Sequence, residues 1–390
     1  MYLLKNAEII TMSPDYEKRF KGDILIENER ISQIGEHLEA DSAQIIDIDG
    51  MTVLPGFVDA HSHIGMWEDG MGFEGDDGNE MSSPSTPEMR AIDGINPYDR
   101  CFSEAARSGV TTCVTGPGSA NVIGGQFAAV KTDGRSVEDM LLRAPIAMKV
   151  AFGENPKRVY EERKTIFTRM QTAAILRKNL TKASEYNKKL KRAGSDDSRK
   201  PERDIGMEAL IPVIEGRIPL KVHAHRADDI LTSLRIAREF NVRLTLDHCT
   251  EGYMIPELLK DGIAQTGAGV IIGPLLCDRG KIETRNLSFE SPRKLYENGI
   301  EFAIMTDHPV IPEQYLPVCA SIAVREGLPE YEALRSITIN PARIVGIDDR
   351  VGSLEPGKDA DIAVFRGNPL DVRSRCVMTF INGRLCHNEL

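Results

Sequence analysis

Pro55-Gly56-Phe57-Val58-Asp59-Ala60-His61-Ser62-His63 is the stretch on which the reading of this chain turns. A Pro-Gly turn opens an apolar run that reads as a buried strand, and the run ends in two imidazoles two residues apart. Residues i and i+2 of a strand face the same side, so His61 and His63 point into one space. Neutral imidazole is the commonest side-chain ligand of divalent transition metals. One His-x-His pair is weak evidence alone; its surroundings strengthen it.

Downstream, short apolar runs alternate with helical periods. The runs cover 109–115, 146–151, 219–225, 242–248 and 302–307, and helical spacing covers 229–240 and 257–261. Repeated βα units imply a parallel sheet buried on both faces. Residues 56–345 leave room for a closed eight-stranded βα barrel, which typically takes about 250 residues and carries its active site at the C-terminal mouth. His223 and His225 end one run, His248 ends the next, and Asp307 ends the last clear one. Four neighbouring barrel strands would then terminate in metal-competent side chains. Buried histidines satisfied by backbone groups explain any one of these, but explain the whole set poorly.

Both ends of the chain read as β. Residues 3–10, 22–31 (Asn28-Glu29 in the turn) and 45–50 alternate in short steps, and 362–365 and 377–384 return to strand before an Asn-Gly turn at 382–383. The expected architecture is α/β: a (β/α)8 TIM barrel over 56–345, with a small composite β-sandwich domain from 1–55 and 346–390.

Composition bounds the function. Across 390 residues, 41% are hydrophobic and 27% charged, an ordinary globular mix that excludes wholesale disorder. The net charge of −11 argues against nucleic-acid binding, which needs clustered Lys and Arg. No apolar run approaches the ~20 residues that span a bilayer, and the first residues show no signal-peptide pattern. Seven cysteines without a Cys-x-x-Cys pair read as reduced thiols, hence a cytoplasmic protein. The expected partner is a small molecule, with neither nucleic acid nor membrane. Residues 157–203 hold 15 Lys and Arg against 6 Asp and Glu. They read as a basic helical insertion, either a solvated face or a basic wall beside the site. The glycine-rich stretch 115–126 lacks GxGxxG and Walker spacing, so it reads as a flexible loop over the site rather than a phosphate loop.

The chain resembles the amidohydrolase superfamily, the metal-dependent hydrolases on a βα barrel. The resemblance rests on Gly50, the 54–63 stretch, Gly109-Val110-Thr111-Thr112, His223, His248, Asp307, Asn340-Pro341-Ala342 and Gly352 to Asp361. It is nearest the imidazolonepropionase-related and prolidase-like branch. The resemblance implies two divalent metals, Zn or else Mn, Fe or Co. His61, His63 and Asp307 would hold one, and His223 and His248 the other. A carboxylated lysine would bridge them, matching Lys149, with Glu154 as the alternative bridge. Two such ions would lower the pKa of a shared water from about 15.7 towards about 7, with Asp307 as the catalytic general base.

His225 is expected to contact substrate or support a ligand, and His308 to face away or line the mouth. His37 and His387 are expected to be structural or exposed. Arg226, just past a ligand strand, is a candidate clamp for a substrate carboxylate. Mononuclear relatives carry His-x-x-Glu on the fifth strand, where this chain reads His223-Ala224-His225-Arg226. That departure favours a binuclear amidohydrolase acting on a small, carboxylate-bearing amide, such as an N-acyl amino acid or dipeptide. The competing readings are a mononuclear imidazolonepropionase- or deaminase-like hydrolase, and a non-catalytic scaffold. The resemblance also suggests a homo-oligomer.

Overall fold

The computed structural model describes residues 1–390, and two eight-stranded sheets organise them. The first five strands are β1 (Tyr2–Ile9), β2 (Phe20–Glu27), β3 (Arg30–Gly35), β4 (Gln44–Asp47) and β5 (Thr52–Pro55). They join β14 (Ile362–Arg366), β15 (Arg375–Ile381) and β16 (Arg384–Asn388) in one sheet of order β16-β15-β14-β5-β1-β2-β3, with β4 also paired to β1. Chain ends far apart in sequence thus share a sheet. Its apolar faces enclose one core, in which Ile24, Ile26 and Ile31 meet Ile362, Val364 and Phe380.

The second sheet is the barrel: β6 (Phe57–Ser62), β7 (Val110–Thr115), β8 (Ile123–Lys131), β9 (Leu141–Ala151), β10 (Leu220–Ala224), β11 (Leu244–His248), β12 (Gly269–Ile272) and β13 (Ala303–Ile304), hydrogen-bonded in that order. Near the seam, the His63 amide donates to the His308 carbonyl (3.0 Å) and the Asp307 amide to the His61 carbonyl (3.3 Å). The ring is therefore nearly closed.

Three features depart from the sequence expectation. The barrel is not wholly parallel, because β8 runs antiparallel to both β7 and β9. The glycine-rich stretch, expected to be loop, is irregular over 116–122 and enters β8 at Ile123, and Gly116 and Gly125 leave room for Phe127 and Met89. The ligand-bearing strands are also not all neighbours, since β12 lies between β11 and β13.

A buried ion network ties the sheets together. Lys131, at the end of β8, donates to Asp359 (3.0 Å) and Asp361 (2.7 Å), and Asp359 also pairs with Arg30 (2.7 Å) and Arg350 (2.6 Å). The basic segment is mainly the helix Arg169–Ala193. Its Leu176, Leu180 and Ala183 are buried, and its flanking charges are paired, as in Arg177–Glu239 and Lys191–Glu215. It is a solvated helical face, apart from Arg158 described below. No helix is long and apolar enough to cross a membrane.

Candidate metal centre

The inward face of the barrel follows from strand alternation. The register pairs Lys149 with Lys221 and Lys221 with Thr245, then His223 with Asp247. Two-residue periodicity therefore stacks Lys221 under His223 and Thr245 under Asp247, all facing inward. His248 and Asp307 fall on the wrong parity or past a strand end. Both adopt left-handed backbone, with φ of 69° and 54°. That conformation costs an L-residue on the order of 1 kcal/mol or more and breaks the alternation so that both side chains enter the mouth.

Two clusters result. His61, His63 and Asp307 converge in the first, and His223, His225 and His248 in the second. In the first, His61 Nδ1 lies 2.9 Å from Asp247 Oδ2, and His63 Nδ1 lies 2.6 Å from the Gly116 carbonyl. Both partners only accept, so each ring carries its proton on Nδ1. Burial, then the nearby Lys149, pushes His61 below the usual imidazole range, so a second proton on Nε2 is disfavoured. Nε2 of both rings faces Asp307 Oδ1, at 3.2 and 3.3 Å. Three metal-competent atoms thus converge on one point. Their spacing is close to the ~3.3 Å expected between ligands on a tetrahedral ion with bonds of about 2.0 Å. The residues fit a divalent transition metal.

Asp247 is what orients His61. It is fully buried, receives Thr245 Oγ1 (3.0 Å) and pairs with Lys221 Nζ at 3.2 Å. Burial opposes its charge, but the Lys221 ammonium and His61 overcome this and hold it well below the usual carboxylate range. Supporting carboxylates of this kind fix ligand tautomers and raise ligand basicity. The sequence reading passed over both: Lys221 shares its parity with His223, but Asp247 adjoins His248, and alternation alone would put it on the opposite face from that ligand.

Lys149 stands in this interior, with Nζ 3.4 Å from His61 Nε2. Burial pushes its ammonium down to about 8; burial first, and then the Lys149 charge, depresses His223. Glu154 is not brought into either cluster. It opens the helix Glu154–Glu161, and its carboxylate makes no hydrogen bond or ion pair with the histidines.

In the second cluster, ring centroids lie 4.3–4.7 Å apart. His225, expected as a support or substrate contact, stands beside His223 and His248 as an equal member, with Nδ1 2.8 Å from Thr250 Oγ1. Burial pushes His225 down to about 3. Glu283 reaches in from the segment after β12, with Oε1 3.8 Å from His223 Nε2 and 3.9 Å from His225 Nε2. Nothing in the sequence flagged it, because it sits on a single 3-10 turn (Ile282–Thr284) too short to show periodicity.

Above both clusters opens a cavity of about 640 Å³ whose walls include Trp67, Asn79, Arg158, Cys277, Asp278 and Lys281. Arg158 has no ion-pair partner, and Lys281 spends one donor on Asn155 Oδ1 (2.8 Å) without pairing to a carboxylate. Arg226 does not line the cavity. Its guanidinium makes a two-pronged pair with Asp228 (2.9 Å each) on the surface, because the strand ends before it and the chain turns outward into a helix at Ala227. His308 is buried but turned from the clusters, its Nδ1 receiving the Glu313 amide (3.1 Å).

The amidohydrolase family profile matches residues 52–386. The chain belongs to the amidohydrolase family. It is 32% identical to amidohydrolase tasK of Hapsidospora irregularis over 98% of this chain, and spans only 42% of that relative's length. It is 23% identical to a dihydroorotase of Elusimicrobium minutum over 96% of this chain and 90% of the relative. The solved structure of an amidohydrolase from Thermotoga maritima MSB8 is 43% identical and superposes with a TM-score of 0.95, covering 100% of both chains. Membership makes this amidohydrolase-family chain a hydrolase.

Proposed function

We propose that this chain is a binuclear metal-dependent amidohydrolase that cleaves the C–N bond of a small, carboxylate-bearing amide, an N-acyl amino acid or a dipeptide. The observation that carries the reading is the pair of adjacent clusters with a buried lysine among them. Divalent ions held by His61, His63 and Asp307 and by the second histidine cluster would supply Lewis acidity, activating water and polarising a carbonyl oxygen. With a pKa of about 8, about one-tenth of Lys149 is neutral at pH 7. That is the form able to take up carbon dioxide as a carbamate. A carbamate on Lys149 would replace a cation that repels the metals with an anionic ligand for them.

The remaining roles fall to side chains. Asp307 accepts a proton from the attacking water and passes it to the leaving nitrogen as the C–N bond breaks. The products are then a carboxylic acid and an amine. Asp247 keeps His61 in one tautomer throughout. Lys281 and Arg158, unpaired on the cavity wall, receive the substrate carboxylate, the role that Arg226 is placed too far outside to fill. Seven cysteines with no disulfide among them support a reducing compartment such as the cytoplasm.

The test is metal content by elemental analysis, for wild type and Lys149→Ala purified with bicarbonate, followed by a hydrolysis screen of N-acyl amino acids, dipeptides and cyclic amides. Two metals per chain falling to one or fewer in the variant, with activity on the linear carboxylate-bearing amides, is expected. One metal in both proteins would overturn the binuclear reading.

A further inference from the structure

Three segments of the barrel mouth meet on one side chain. Asn155, in the first turn of the helix Glu154–Glu161, receives Lys281 Nζ on Oδ1 at 2.8 Å and donates from Nδ2 to Ser119 Oγ at 2.7 Å. An ammonium only donates, so the amide has one orientation here. Ser119 belongs to the stretch after β7, and Lys281 to the segment after β12. All three residues line the cavity above the clusters. Arg158 lines it too, three residues on from Asn155 and so on the same helical face.

The backbone of Lys281 is fixed as well. Thr284 Oγ1 receives the Lys281 amide (3.3 Å) and donates to the Lys281 carbonyl (2.9 Å), closing the turn Ile282–Thr284. Glu283 Oε2 receives the Glu154 amide (2.8 Å) and docks that turn on the start of the helix. Gly153 permits the approach: it is left-handed (φ 85°), and a Cβ there would come within 2.4 Å of Glu283 Oε2.

The chemistry at position 155 matters beyond this docking. An aspartate could bridge the same two partners, accepting from the Lys281 ammonium and from the Ser119 hydroxyl. It would also neutralise the lysine and repel an incoming anion. The amide oxygen orients the ammonium through a dipole alone, and leaves its other N–H groups and its charge to the cavity. Neither Lys281 nor Arg158 is paired with a carboxylate, so two like charges share one wall with no anion of the chain to offset them. Tying segments together accounts for the two hydrogen bonds, but not for an uncharged group between two unpaired cations.

We propose that Asn155 is a positioning residue that selects carboxylate-bearing substrates, by presenting the Lys281 ammonium to the cavity beside Arg158 with its charge unspent. The inference rests on the reading of Lys281 as a receiver of the substrate carboxylate, and adds the residue that keeps it one.

The experiment compares wild type, Asn155→Asp, Asn155→Ala, Lys281→Gln and the double variant Asn155→Ala, Lys281→Gln, all loaded with zinc, on N-acetyl amino acids and their neutral carboxamides. Trp67, the only tryptophan and a wall of the same cavity, reports ligand binding by fluorescence without turnover. KM and kcat follow for the pair that is hydrolysed. Asn155→Asp is expected to weaken the carboxylate ligand about tenfold or more, the scale of one charge-assisted hydrogen bond. The loss should fall on KM rather than kcat, and should spare the carboxamide and the metal content. Asn155→Ala should lose less, and nothing further once Lys281→Gln is present. Equal weakening of carboxylate and carboxamide in Asn155→Asp, or weakening of neither, would overturn this assignment, while a selective loss in Lys281→Gln would still uphold the carboxylate reading. No selective loss in Lys281→Gln would overturn that reading and the role of Asn155 with it. Circular dichroism separates a lost contact from a lost fold, and Asn155→Ala with its double variant decides the matter if Asn155→Asp does not fold.

Discussion

Asp247→Asn should separate what this residue does for the fold from what it does for the metal centre. Asp247 and Lys221 are at most 1% exposed and 3.2 Å apart. Asparagine can still receive Thr245 Oγ1, but it has no charge. Lys221 would keep only the Ala60 carbonyl, at 2.7 Å. Removing one partner of a buried pair leaves an uncompensated charge, at a cost of about 3–5 kcal/mol. The lower end is expected, because burial already pulls Lys221 below the usual ammonium range and eases its deprotonation. Adding Lys221→Met removes the stranded charge, so the double variant should recover about 2 kcal/mol or more relative to the sum of the singles. The assay is a double-mutant cycle from urea unfolding of the metal-stripped proteins. Losses that add within about 0.5 kcal/mol, as for independent sites, would refute the reasoning. Metal affinity should behave differently. The first site should weaken about 10–100-fold in Asp247→Asn, and Lys221→Met should not restore it, because the carboxylate charge that raises the basicity of His61 is not replaced. Recovery of metal binding in the double variant would show that Asp247 acts on the fold alone.

Three other outcomes follow from the same geometry. Burial holds His225 at about 3 against an unperturbed 6.5, so between those values the unfolded chain binds a proton that the native one does not. Stability of the metal-stripped protein should be fully present above pH 6.5 and fall on acidification by up to ~1.4 kcal/mol per pH unit from this ring; an equal slope in His225→Gln, by urea unfolding at pH 7.5 and 5, would contradict this. Lys281→Gln should raise KM about tenfold for a carboxylate-bearing amide but not for its neutral carboxamide, on the scale of one charge-assisted hydrogen bond. Arg226→Ala should change neither, and should cost at most about 1 kcal/mol, as surface pairs do; steady-state kinetics on both substrates decide. The chain has one tryptophan, and Trp67 lies 4.8 Å, ring centre to ring centre, from His63, so Co(II) should quench its fluorescence in wild type and not in a His61→Asn, His63→Asn double variant.

Much of the barrel was legible because its signals are local. The β6 run, the apolar runs before His223, His248 and Asp307, and the two-residue spacing of His61 and His63 need only strand periodicity to read. β8 escaped because glycine-rich sequence is permissive and its strand state is imposed by pairing on both sides. Arg226 was misjudged because strand parity carries no information about where β10 ends and the outward turn begins. The convergence of His225 with His223 and His248 was not legible, because a single spacing cannot say whether two rings on one face meet a third from the next strand.

The sequence by itself determined which residues could carry metal chemistry and the order in which they reach the barrel mouth, since that information lies in side-chain type and periodicity. The tertiary structure alone decided which of them meet. The left-handed backbone at His248 and Asp307 turns both against strand alternation, Asp247 reaches His61 across 186 residues, and Glu283 arrives on a single 3-10 turn. The physical reason is that convergence depends on long-range pairing and on backbone states that local propensity disfavours, and only the assembled barrel compensates for their cost.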